Sequence, residues 1–130
     1  MTFNLDLRKT DGILIIGKRG SGKTYLSAWI MQNYPFRYVV LDPTGSYRGY
    51  SFRREAYFEI DPLDPRVENI VRAAMRHGYF VVVDEADEFP YAKYSAIRTL
   101  VLRGRNWGSG YMFITHTPAL ISTSVMANST

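Results

Sequence analysis

Short apolar runs alternate with longer stretches of helical periodicity along this chain. Residues 13–16, 38–41, 80–83 and 111–115 are continuous apolar or β-branched runs. Such runs suit strands buried on both faces of a parallel sheet. Residues 57–60 form a shorter third strand in the same series. Between them, residues 23–33 read as a helix with Leu26, Trp29 and Ile30 on one face, closed by Pro35. Residues 65–77 place Val67, Ile70, Val71 and Ala74 at helical spacing, with Gly78 as the stop. Residues 91–103 read as a third helix, with Tyr94, Ile97, Leu100 and Val101 pointing inward. Residues 42–45 make a turn by composition, and residues 48–54 are a polar, basic loop. The alternation predicts one α/β domain spanning residues 1–130, a mostly parallel sheet flanked by helices. No further strand is predicted before Thr130, so the chain is expected to be a minimal core or part of something longer.

The first strand delivers the chain into Gly-Lys-Arg-Gly-Ser-Gly-Lys-Thr, residues 17–24, and a helix follows at once. This strand–turn–helix context marks a phosphate-binding loop, in which a helix N-terminus is aimed at an anion. Glycines at Gly17, Gly20 and Gly22 let backbone N–H groups converge without Cβ interference. Lys23 is the residue to reach the β- and γ-phosphates, and the Thr24 hydroxyl is a ligand for magnesium. The whole stretch Gly17, Lys18, Arg19, Gly20, Ser21, Gly22, Lys23, Thr24 and Tyr25 is the expected nucleotide-binding set.

The strand at residues 80–83 ends in Asp84-Glu85. Asp84, at the carboxyl end, can hold magnesium, while Glu85 can polarise the water that attacks a γ-phosphate. The two roles need separate residues, because a carboxylate committed to a metal is a poor base. In an open α/β sheet both halves converge on the same edge. Asp87 and Glu88 read as solvated loop acids. His116, just past residues 111–115, falls where a polar group could sense the γ-phosphate or the attacking water. His77 reads as a helix-end residue suited to the helix dipole. Arg103 reads as a helix cap. Arg105, beyond Gly104, is a candidate to stabilise phosphoryl charge in its own site or a neighbour's.

Composition narrows the picture less. The chain has no cysteine, which excludes disulfides and thiolate metal sites and fits a reducing compartment. No apolar run approaches a membrane span, and the first twelve residues lack a signal core, so a cytoplasmic location is expected. A net charge of +4 is compatible with a polyanionic partner but is ordinary for a soluble surface. Residues 42–45 (Asp-Pro-Thr-Gly) mimic a GTPase signature, but no Asn-Lys-x-Asp guanine reader occurs, which argues against a guanine-specific switch.

Together these segments resemble the HerA–FtsK superfamily of DNA-pumping ATPases. The resemblance rests on Asp42-Pro43-Thr44-Gly45-Ser46-Tyr47, on Arg105-Asn106-Trp107-Gly108 before the last strand, and on Thr115-His116-Thr117-Pro118 after it. It departs from the family pattern at His116, where Gln is usual, and at Ser46, where Glu is usual. The resemblance implies a RecA/FtsK-like phosphate-loop NTPase core, truncated or divergent at its C-terminus. It implies ATP and magnesium as ligands, with Lys23, Glu85, His116 and Arg105 catalytic and Arg105 acting on a neighbouring subunit. It further implies a homo-oligomeric ring, typically a hexamer, threading double-stranded DNA. The compact size is similar to viral genome-packaging members, which implies a host-cell cytoplasmic location and a capsid or membrane-associated viral partner. Arg48, Tyr50, Arg53 and Arg54 are DNA-contact candidates by composition alone. Three other readings stay open at this point: a nucleotide kinase, a morphogenesis ATPase that does not act on DNA, and an assembly protein using ATP as a structural ligand.

Overall fold

A computed structural model describes residues 6–18, 20–52 and 54–116. Its strands are β1 (Gly12–Ile16), β2 (Tyr38–Leu41), β3 (Ala56–Phe58), β4 (Phe80–Asp84) and β5 (Tyr111–Thr115). They form one sheet in the order β1-β5-β4-β2-β3, and every pairing is parallel. The helices are α1 (Lys23–Asn33), α2 (Arg66–Arg76) and α3 (Ala96–Arg103). The mostly parallel α/β architecture is the one that the hydrophobic pattern predicts.

Alternate residues of each strand face opposite layers. Ile13, Ile15, Tyr38, Val40, Phe80, Val82, Met112 and Ile114 pack with Ala28, Ile30 and Met31 of α1 on one face. Val39, Leu41, Val81, Val83, Tyr111 and Phe113 pack with α2 and α3 on the other. Burial on both faces is why the strands read as unbroken apolar runs. β5 lies between β1 and β4, so the turn after β1 and the acids after β4 flank its carboxyl end. The register, Ile16 beside Thr115 and Asp84 beside Ile114, brings these three ends level.

Three predicted boundaries or faces differ. β3 covers Ala56–Phe58 instead of 57–60, although Ile60 beyond it is buried. The buried side of α1 is Ser27, Ala28, Ile30 and Met31, while Leu26 is exposed. Ser27 escapes an apolar reading because its hydroxyl donates to the Thr24 carbonyl and meets the buried Tyr47 hydroxyl. The third helix starts at Ala96, not at residue 91. Tyr94 has a left-handed φ of 73° and points outward, 80% exposed. Ser95 caps the helix by accepting from the Arg98 N–H at 3.2 Å, and the Glu68 carboxylate accepts from the Ala96 N–H at 2.7 Å. The candidates Arg19 and Arg53, and Thr117, Pro118 and the tail to Thr130, lie outside the described residues.

Candidate functional site

The turn after β1 is anchored where it leaves the sheet. The Gly17 N–H donates to the Thr115 carbonyl at 3.2 Å, and the Ser21 N–H donates to the Lys18 carbonyl at 3.1 Å. A Cβ at Gly17 would fall 2.5 Å from the Ser21 hydroxyl, so any larger residue would force the Ser21 side chain to move. Gly22 sits at φ 91°, a conformation that glycine adopts at little cost, and it is the N-cap of α1. No side chain caps this helix, which leaves its first-turn amides directed at the space above the loop. The Lys23 ammonium folds back and donates to the Gly17 carbonyl, which holds the cation over the same space.

β4 supplies the opposing acids. Asp84 is 4% exposed. Its pKa is raised from 3.8 to about 6, first by burial and then by the neighbouring charges of Asp42 and Glu85. The Asp84 environment is therefore short of positive charge, as expected of a carboxylate built to meet a cation. Glu85 adopts a left-handed backbone, φ 52°, at the turn into the 3-10 segment Ala86–Glu88. This places its carboxylate 3.5 Å from His116 Nδ1 at the end of β5.

These groups line one cavity of about 670 Å³. Gly20, Gly22, Lys23, Thr24 and Tyr25 come from the turn and α1, Asp84 and Glu85 from β4, and His116 from the end of β5. Gly17, Lys18 and Ser21 belong to the same turn but do not line the cavity.

Three further lining residues, Thr44, Ser46 and Tyr50, come from the segment after β2. Pattern reading passed them over as turn and loop. Asp42 directs this segment. It is wholly buried and accepts from the N–H groups of Ser46 at 3.1 Å and Tyr47 at 3.0 Å and from the Tyr57 hydroxyl at 2.5 Å. These bonds fold the segment over the carboxyl edge, where Ser46 lines the same cavity as Asp84. Asp42 is thus a structural anchor, and the GTPase-like string around it is a by-product of that turn.

One sequence expectation needs correction, and one candidate is narrowed. Asp87 is not simply a solvated acid: its Oδ1 is buried and has no hydrogen-bond partner among the described residues. Donor atoms of Glu85, Asp87 and His116 lie within 4.8 Å of one another, a set able to hold a cation. Arg105 does not approach the cavity of its own chain. It borders a separate depression with Thr10, Asp11, Gly12 and Tyr111, at the amino ends of β1 and β5. A strand of this length puts about 13 Å between the two edges, so action within one subunit is excluded by the topology.

The basic loop is partly engaged. Arg48 makes a two-pronged pair with Glu59, and the Arg54 guanidinium lies 4.5 Å from the Tyr57 ring centroid. Among the described residues, no helix is long and apolar enough to cross a membrane.

No protein-family model matches this chain, and no curated protein matches it in sequence. Solved structures match its fold. The genome packaging NTPase B204 from Sulfolobus turreted icosahedral virus 2, in complex with ATP-gammaS, superposes with TM-score 0.73 at 20% identity over 95% of this chain and 73% of that one. B204 described as the DNA-packaging ATPase of Sulfolobus turreted icosahedral virus gives TM-score 0.72 at 18% identity, covering 95% of this chain and 74% of that one. The N-terminal domain of zonular occludens toxin from Neisseria meningitidis gives TM-score 0.62 at 17% identity, covering 93% and 74%. At these identities the likeness establishes a shared phosphate-loop NTPase fold.

Proposed function

We propose that this chain is an ATP-hydrolysing motor subunit of the viral genome-packaging kind, acting on nucleic acid as part of a ring. The observation that carries the reading is that a lysine-bearing glycine turn and the acids of β4, a buried Asp84 and a half-buried Glu85, line one cavity. Neighbours of the same fold that bind ATP analogues or package DNA support it.

In this reading the amides of the first turn of α1 and Lys23 bind and orient the β- and γ-phosphates. Thr24 and Asp84 would hold magnesium, which supplies charge neutralisation on the phosphates when bound. The depleted cationic environment of Asp84 fits that role. Glu85 accepts the proton of the attacking water, and its left-handed backbone fixes the carboxylate for that task. His116, 3.5 Å from Glu85, orients that carboxylate and reports loss of the γ-phosphate. Arg105, remote from its own site, completes the site of an adjacent subunit, which makes turnover depend on a homo-oligomeric ring. A hexamer on double-stranded DNA is the arrangement we favour.

Phosphate release in the absence of any acceptor tests the reading. Glu85→Gln is expected to keep nucleotide binding and lose turnover by about 100-fold or more, the scale of a lost general base. Lys23→Ala is expected to lose both. Undiminished steady-state turnover in either variant would refute the assignment. Turnover that requires a phosphoryl acceptor would move the protein to the kinases.

A further inference from the structure

We infer that the amino edge of the sheet, opposite the nucleotide cavity, is a docking surface for the nucleic-acid backbone. The inference deepens the proposed function and rests on its nucleic-acid half. It is carried by charge placement. Residues 8–11, 34–37, 54–55, 76–79 and 103–110 lead into the strands at this edge or end the helices there. They hold Arg8, Lys9, Arg37, Arg54, Arg76, Arg103 and Arg105 against two carboxylates, Asp11 and Glu55. That excess of five exceeds the net charge of +4 of the whole chain.

The segments converge in space. The Phe80 N–H donates to the Arg37 carbonyl at 2.8 Å, and the Tyr111 N–H donates to the Asp11 carbonyl at 3.0 Å. A Cβ at Gly108 would lie 3.4 Å from the Lys9 ammonium, and one at Gly78 would lie 3.1 Å from the Trp107 carbonyl. Lys9, Arg37 and His77 line one depression of about 240 Å³.

Helix-end electrostatics explain only part of this. Arg76 and Arg103 occupy the last turns of α2 and α3, where a cation complements the helix dipole. Arg8, Lys9 and Arg37 have no such helix to serve, and Arg105 is the cation assigned above to a neighbour's site. Arg37 pairs with Glu55 at 3.4 Å, and Arg54 lies over the Phe52 and Tyr57 rings. The other five cations form no ion pair among the described residues. The carboxyl edge, by contrast, has Arg48 committed to Glu59 and Arg66 to Asp64. Trp107, 53% exposed, adds an aromatic face among the cations. A ridge of uncommitted cations with an exposed ring is the pairing by which proteins hold phosphate backbones and stack bases without reading sequence. An anionic membrane could use both the charge and the indole, but the fold shared with a DNA-packaging ATPase favours nucleic acid.

The test is fluorescence anisotropy with labelled random-sequence DNA, duplex and single-stranded, across a salt series. The full chain is compared with Lys9→Glu/Arg76→Glu/Arg103→Glu and with the milder Gln triple at the same positions. Arg48→Glu/Arg66→Glu serves as the control on the opposite edge, where each arginine is held in an ion pair. None of the three exchanged residues belongs to the nucleotide site, so DNA-free ATPase activity should persist in both triples and report that they fold. Loss of about three phosphate contacts should reduce the salt slope for duplex by about 3 and weaken binding by about tenfold or more at low salt. The control should change affinity less than about twofold. A Gln triple that folds and binds DNA like the parent overturns the docking surface while leaving the proposed function standing. No DNA binding by the parent overturns both. Preferential binding to phosphatidylserine vesicles over either DNA also overturns the inference.

Discussion

Replacing Asp84 by Asn should stabilise the metal-free protein at neutral pH. Asp84 is 4% exposed, and its pKa rises from 3.8 to about 6 because burial and the charges of Asp42 and Glu85 oppose ionisation. The folded state therefore holds this proton more tightly than the unfolded chain. The associated stabilisation is complete below pH 4 or so and is lost as pH rises through about 6. A gap of about two pKa units corresponds to about 3 kcal/mol. Asn keeps the shape and stays neutral, so it should recover about that amount at pH near 7.5 and almost none near pH 4. Urea unfolding of both proteins in a chelator, at the two pH values, measures the difference directly. Magnesium should then stabilise the parent and leave Asp84→Asn unmoved. An Asn variant no more stable than the parent at neutral pH, or a difference that does not shrink in acid, would refute the reasoning.

The remaining expectations concern the same edge and its partner. Arg105→Ala subunits mixed with wild type should depress ATPase activity more steeply than their fraction, since each would starve a neighbour's site; a linear decline counts against action between subunits. Tyr47→Phe removes the hydroxyl that meets Ser27 at 2.6 Å in a fully buried setting. It should cost about 1–2 kcal/mol in chemical denaturation; an unchanged midpoint would show that this bond contributes nothing net.

The parts legible in the sequence are those governed by neighbours in the chain. Buried parallel strands announce themselves as short apolar runs, and the phosphate turn needs glycines at fixed offsets. What escaped depends on distant contacts. Ser46 and Tyr50 reach the cavity only because Asp42 gathers two amides and the hydroxyl of Tyr57, which belongs to β3. Nothing local distinguishes that Asp from an ordinary turn residue, although an Asp at the carboxyl end of a buried strand was a usable signal. Tyr94 fits helical spacing, yet its backbone turns left-handed while Arg72 donates to its carbonyl at 2.9 Å. The sequence left Arg105 open to its own site or a neighbour's, because sequence distance says nothing about which edge of the sheet a loop occupies.

The buried bonds around α1 also bear on how the cavity keeps its shape. The Ser27 hydroxyl donates to the Thr24 carbonyl at 3.0 Å and meets Tyr47, whose N–H donates to Asp42. The first turn of α1, the segment after β2 and β3 are thereby joined in one chain of hydrogen bonds. Bonds to a buried carboxylate contribute about 1.5–3 kcal/mol each, so moving Ser46 and Tyr47 off Asp42 would break the costliest contacts in the region. Preorganised polar groups of this kind stabilise developing charge without rearranging during reaction. Asp42 consequently acts twice. It holds the roof of the cavity in place, and its own charge raises the pKa of Asp84 so that a cation is the favoured neutraliser. A surface loop closing over an otherwise identical turn could supply the first effect but not the second, because only a second buried carboxylate sharpens the demand for a metal.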